Sequence, residues 1–181
     1  MFNKTLRQLL LFHMFYYSEV LEPIEIKSLL KVSNRTIARD LHELQRAGLI
    51  NVVFSKKEKG YIHQDNRYPC AKQPLVFSEN KANNRHLEKL IRLATIMIEL
   101  AGHTEISYYD CSPKEQETCS SWYKKKFPNV SKRTMQRDFQ ELSKIGYEIS
   151  YDYFERLYTV TFPQSLEAIE NCLRYKYKDR E

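Results

Sequence analysis

Apolar side chains crowd the start of the chain. Leu6, Leu9, Leu10, Leu11, Phe12, Met14 and Phe15 follow Lys4 and Arg7, which predicts a buried helix over residues 4–18. A secretory leader would need a small-residue cleavage site next. Bulky Tyr16 and Tyr17 and the acids Glu19 and Glu22 stand there instead, so the segment reads as part of a mature cytosolic protein. A second apolar helix is expected over residues 84–101, where Arg92, Thr95 and Glu99 break the run before it reaches a membrane span. Its apolar positions fall on more than one face, which suggests burial between domains or protomers. Ile37, Leu41 and Leu44 recur at the spacing of a single helical face. After them, Leu49 to Phe54 and Tyr61 to His63 flank a polar turn, the pattern of a hairpin. Tyr147 to Tyr153 and Leu157 to Phe162 repeat that pattern. In the tail, Leu166, Ile169 and Leu173 predict an amphipathic helix over residues 164–181.

The pattern repeats because the sequence does. Residues 32–48 read VSNRTIARDLHELQRAG and residues 130–146 read VSKRTMQRDFQELSKIG. The offset is 98, and nine of the 17 positions are identical. Each copy follows an apolar helix and precedes a hairpin. The unit is helix, helix, helix, hairpin, present twice. The expected organisation is a first domain over 1–64, a linker over 65–83, a second domain over 84–163 and the C-terminal helix. The fold class is mainly α with small β-hairpins, an α+β arrangement. Pro113 after Ser112 predicts a longer second helix in the second copy.

Ser33 and Ser131 are natural N-caps, and Gly48 and Gly146 natural residues just past a helix C-terminus. Each repeat therefore closes one helix, over 33–47 and 131–145. On a helical wheel Ile37, Leu41 and Leu44 point one way, while Arg35, Arg39, His42 and Arg46 point the other. In the second copy Met135, Phe139 and Leu142 oppose Arg133, Arg137, Gln140 and Lys144. A helix fits the DNA major groove, and Arg, Lys, Asn and Gln read base edges there. Its N-terminus also suits phosphate. The candidate DNA-binding residues are Ser33, Asn34, Arg35, Thr36, Arg39 and His42, and Ser131, Lys132, Arg133, Thr134, Gln136, Arg137 and Gln140. Pro23 opens a preceding short helix through Ile26, Leu29 and Leu30, completing a helix-turn-helix. The hairpin is then a wing, and Lys56, Lys57 and Lys59 suit it to a nucleic-acid backbone. The second wing, with Asp152, Glu155 and Arg156, suits that role poorly.

The string V-S-x-R-T-x-x-R-D-x-x-E-L-x-x-x-G resembles the winged helix-turn-helix of DeoR-type bacterial regulators and of regulators carrying a WYL effector domain. His86 to Leu93 is similar to the first helix of that family. The resemblance implies that Arg35, Thr36, Arg39, Arg133, Thr134 and Arg137 lie on recognition helices. The chain departs from the family in holding two such units and no effector domain of either kind, so the resemblance carries no effector.

Charge refines this picture. The net charge is +6, which by itself says little about partners. Residues 1–80 hold 12 basic and 8 acidic residues, and residues 81–181 hold 17 and 15, so the first half is the more positive. Arg39 and Arg137 have a competing reading as salt-bridge partners, and Asp40 and Asp138 read as structural. Lys124, Lys125 and Lys126 form either a phosphate clamp or a solvated face. Cys70, Cys111, Cys119 and Cys172 lack C-x-x-C spacing and a histidine at a ligand offset, so free thiols are expected and no metal or cofactor. No phosphate loop, nucleophile elbow or paired-carboxylate signature appears, which leaves no enzyme to propose. The expectation is a cytoplasmic, sequence-specific transcriptional regulator bound to double-stranded DNA. Competing readings are a plasmid or phage replication initiator and a protein-interaction module. Helix 84–101 or the C-terminal helix would supply a homodimer face.

Overall fold

A computed structural model describes residues 2–64, 79–104, 118–154 and 157–161. Its elements run α1 (Lys4–Tyr17), β1 (Val20–Leu21), α2 (Pro23–Leu30), α3 (Asn34–Arg46), β2 (Val52–Ser55), β3 (Gly60–His63), α4 (Lys81–Thr104), α5 (Cys119–Lys126), α6 (Lys132–Ser143), β4 (Glu148–Asp152) and β5 (Leu157–Thr161). The protein is mainly helical, with one three-stranded antiparallel sheet in the order β1-β3-β2 and a separate β4-β5 hairpin. Two compact units divide the chain, Met1–Thr95 and Ile96–Glu181, with the boundary inside α4. Among the described residues no helix is long and apolar enough to cross a membrane.

Local signals place the helix ends. Asn3 caps α1 by accepting from the Leu6 N–H at 2.9 Å. Pro23 starts α2, where its missing N–H costs no hydrogen bond. Ser33 and Ser131 each accept the N–H three residues on, from Thr36 and Thr134, both at 3.2 Å. The two repeats also stop alike. Gly48 and Gly146 adopt φ values of 72° and 94°. The following N–H groups, of Leu49 and Tyr147, reach back to the carbonyls of Leu44 and Leu142 at 3.0 and 3.2 Å. This is a Schellman ending, with buried side chains at both ends of the closing bond.

The strand β1 is absent from the sequence-level reading. Two residues offer no alternation to detect, and they become a strand only by pairing Val20 with Ile62 and Leu21 with Tyr61. The hairpins are the expected ones, with Val53 opposite Ile62 and Tyr151 opposite Tyr158. The helix before the second repeat is α5, which spans eight residues after the N-cap Thr118. The longer helix expected from Pro113 lies outside the described residues, as do the linker over 65–78 and the C-terminal helix over 164–181.

In the first unit, Leu9, Leu10, Leu11 and Phe15 of α1 form the centre of the core with Ile26 of α2 and Ile37 and Leu44 of α3. Asp40 is fully buried among them. A buried carboxylate is stable only with partners. Arg7 Nε donates to Asp40 Oδ2, Arg7 Nη2 donates to Oδ1 at 3.1 Å, and Gln8 Nε2 adds a third bond to Oδ1 at 3.2 Å. Gln8 Nε2 also donates to Glu43 at 2.7 Å, and Lys4 binds Glu43 at 2.8 Å. His86 on α4 donates to Gln8 Oε1 at 2.8 Å, which fixes the proton on Nε2. Burial pushes Glu43 up, but hydrogen bonds from Lys4 and Gln8 outweigh it and hold the carboxyl below its ordinary range. Burial also lowers His86, helped by the Lys4 charge.

The second unit satisfies its repeated carboxylate differently. Asp138 is 1% exposed and accepts from the Tyr123 hydroxyl at 2.6 Å. Tyr123 belongs to α5, and its ring meets Phe139 edge-on at 5.7 Å. Removing Asp40 leaves the buried Arg7 guanidinium without its carboxylate, whereas removing Asp138 takes a carboxylate acceptor from the Tyr123 phenol. Asp40→Ala is therefore expected to cost about 3–5 kcal/mol and Asp138→Ala about 1–3 kcal/mol. Chemical denaturation of each variant against the parent chain, with Trp122 fluorescence reporting the second unit and backbone circular dichroism the whole chain, checks the order; equal losses contradict it.

His13 gives a pH signature. It is fully buried in α1 beside Tyr17, with ring centroids 4.5 Å apart. Burial drops its pKa from 6.5 to about 3. The unfolded chain therefore takes up a proton that the folded chain refuses. Stability from this group is complete above pH 6.5 and is lost as pH falls toward 3. Denaturation midpoints measured from pH 7.5 down to pH 4 should fall less steeply in His13→Leu than in the parent chain.

Candidate nucleic-acid interface

The inward commitment of each repeat helix determines what faces out. Ile37, Asp40, Leu41 and Leu44 of α3 are buried, so Asn34, Arg35, Arg39 and His42 are exposed. On α6, Met135, Asp138, Phe139 and Leu142 are buried, and Lys132, Arg133, Gln136, Arg137 and Gln140 are exposed. Ser33 and Ser131 are exposed at the N-caps. Thr36 and Thr134 are half-buried, each 3.0 Å from the capping serine hydroxyl. Arg46 is also half-buried, so the outward stripe of α3 is carried by Arg35, Arg39 and His42.

Salt-bridge partners for the stripe arginines would have explained them structurally. Among the described residues Arg35, Arg39, Arg133 and Arg137 form no ion pair; the acids of these helices are engaged elsewhere. Glu43 takes Lys4, Asp40 takes Arg7, and Glu141 takes Lys144 at 3.3 Å. The guanidinium groups are left to solvent or to an external anion.

The hairpins differ. Lys56, Lys57 and Lys59 are exposed in the β2-β3 turn, and Lys57 lies 3.6 Å from Glu58. Lys59 sits in the left-handed region at φ 52°. The β4-β5 turn instead exposes Tyr153 and Phe154, at 87% and 91%. Tyr158 of the same hairpin packs inward, edge-on to Phe139 at 5.1 Å. The aromatic hairpin thus divides into core and tip. Of the lysine run, Lys126 is engaged by Glu99 at 2.5 Å, and Lys124 and Lys125 are exposed.

Sequence reasoning passed over two groups near this surface. Arg7 and Gln8 hid inside an apolar helix, although a charge within such a run is a signal of internal pairing. Lys27 and Lys31, on and just after α2, looked like ordinary surface lysines. Together with Arg7, Ser33, Thr36 and Arg39 they line one recess. Cys119 is buried, and burial raises its thiol pKa to about 11, which keeps it a protonated thiol at neutral pH. Among the described residues no group of His, Cys, Asp and Glu is arranged to hold a metal ion. No protein-family model matches the chain, and neither a curated protein nor a solved structure is significantly similar to it.

Proposed function

We propose that the two units are tandem winged helix-turn-helix domains and that the protein is a sequence-specific regulator of transcription acting on double-stranded DNA in the cytoplasm. In this reading α3 and α6 are recognition helices. Arg35, Arg39 and His42, and Arg133, Arg137 and Gln140, face base edges and flanking phosphates in major grooves. Asn34 and Lys132 stand at the helix N-termini, where phosphate is favoured. Lys56, Lys57 and Lys59 follow the backbone from the first wing. The observation that carries the reading is the matched arginine stripe on two equally capped helices, exposed and without ion pairs.

One observation favours a second role for the second unit. Its hairpin tip offers Tyr153 and Phe154 beside Asp152, a surface better suited to a protein than to a phosphate backbone. The second unit would then dock a protein while the first holds DNA.

The test is duplex binding followed by fluorescence anisotropy across a salt series. Affinity should fall steeply as salt rises. Arg39→Ala and Arg137→Ala should each weaken binding to the selected site by about 1–3 kcal/mol. Loss with Arg39→Ala alone would remove the second recognition helix from the DNA contact and leave the first unit to hold the duplex. Retention of binding in the double variant would sink the recognition-helix assignment.

A further inference from the structure

We propose that a recess in the first unit, between the end of α2 and the first turn of α3, binds a phosphate group. Its volume is about 540 Å³, and its lining includes Arg7, Lys27, Lys31, Ser33, Thr36 and Arg39. No carboxylate is among the residues that line it. Three elements supply the cations, α1, the α2 end and α3. Arg7 is 8% exposed and already neutralised by Asp40, so it forms a polar wall with little net charge. Lys27, Lys31 and Arg39 are exposed at the rim. Lys27 and Arg39 have no ion-pair partner among the described residues. Three cations and the one hydroxyl that the Ser33–Thr36 pair leaves able to donate surround one recess, and a tetrahedral oxyanion takes several donors at once.

The backbone adds a separate observation. Lys31 caps α2 in the left-handed region, at φ 51° and ψ 45°. Glycine or asparagine is the ordinary residue there. A lysine held in that conformation carries a local strain that the rest of the turn must support. It also fixes where the lysine leaves the chain, beside the first turn of α3.

The residues around the recess are only partly repeated in the second unit, where Lys27 corresponds to the exposed Lys125. At the offset of the repeat, Arg39 corresponds to Arg137, Ser33 to Ser131 and Thr36 to Thr134. Lys31 corresponds to Asn129, and the turn there runs through Phe127, Pro128 and Asn129 with no left-handed residue. The buried aspartate there accepts from the Tyr123 hydroxyl. The repeat thus keeps the helix, while Lys31 and its left-handed turn are replaced by Pro128 and Asn129.

The phosphate has two sources, a diester of the duplex or a free phosphate ligand. The first rests on the DNA-binding reading above; the second does not. The experiment compares the full chain with Lys27→Gln/Lys31→Asn. Asparagine suits the left-handed position, so the turn survives. A control, Lys81→Gln/Arg85→Gln, removes the same charge from the exposed start of α4. Calorimetry measures inorganic pyrophosphate, and anisotropy measures a mixed-sequence duplex. The recess variant should weaken one of them about tenfold or more, with the control within about threefold. For the duplex, the log-log salt slope should shrink by about two. Loss confined to duplex assigns the diester; loss of pyrophosphate affinity assigns a free ligand. Pyrophosphate binding without duplex binding in the parent chain would sink the DNA reading and keep the recess. If the recess variant weakens neither duplex nor pyrophosphate binding beyond what the control does, the recess is overturned, and duplex binding by the parent chain then keeps the DNA reading. Binding of neither probe by the parent chain overturns the recess too.

Discussion

A carboxylate that must lie inside the protein organises each half. Successive residues on a helix are turned by about 100°, so an inward aspartate turns the arginine before it outward. In the paired residues Arg39-Asp40 and Arg137-Asp138, the interior partner sets the direction of the exterior one. Asp40 and Asp138 are buried, and Arg39 and Arg137 are exposed. The apolar stripe agrees with this register but fixes it less sharply. A slightly rotated helix still buries leucine, whereas a slightly rotated aspartate loses its hydrogen bonds and keeps its desolvation cost.

The two halves meet that requirement with different chemistry. In the first, a guanidinium binds Asp40 through two nitrogens, and Gln8 passes the network on to Glu43 and His86. This joins α1, α3 and the start of α4 by charged and polar bonds. In the second, one phenol from α5 supplies the bond to Asp138, and Phe139 seats its ring. Glu141, the counterpart of Glu43, is engaged by Lys144 within its own helix. A charged network demands complete satisfaction, while an aromatic partner contributes area as well as one hydrogen bond. The repeated sequence thus tolerates replacement of its partner while its own residues stay fixed.

That division explains what could be read from the sequence. Caps, glycine endings and the inward and outward faces of α3 and α6 depend on residues within one short segment, and the 98-residue offset doubled their signal. Both hairpins were visible for the same reason. The strand β1 was not, because Val20 and Leu21 become a strand only through Ile62 and Tyr61, some forty residues away. The partners of the aspartates were hidden likewise: Arg7 lies 33 positions from Asp40, and Tyr123 lies 15 from Asp138. Lys27 and Lys31 gave no periodic signal, since their shared recess comes from the turn geometry between two helices. The tail helix and the segment around Pro113 fall outside the described residues.

Duplication with unequal surroundings bears on how the outward stripes act. Both helices present arginines at the same spacing, so a difference between the copies arises from their other outward residues, Asn34 and His42 against Lys132 and Gln140, and from their flanks. The first copy adds three lysines at a hairpin turn and two more beside its capping serine. The second adds two aromatic side chains at its tip and a proline in the turn before α6. Exposed lysines attract any polyanion and weaken as salt rises. Exposed aromatics gain from burying area and depend little on salt. The repeated helices therefore share a pattern of donors, while their flanks divide between an electrostatic and an apolar mode of contact.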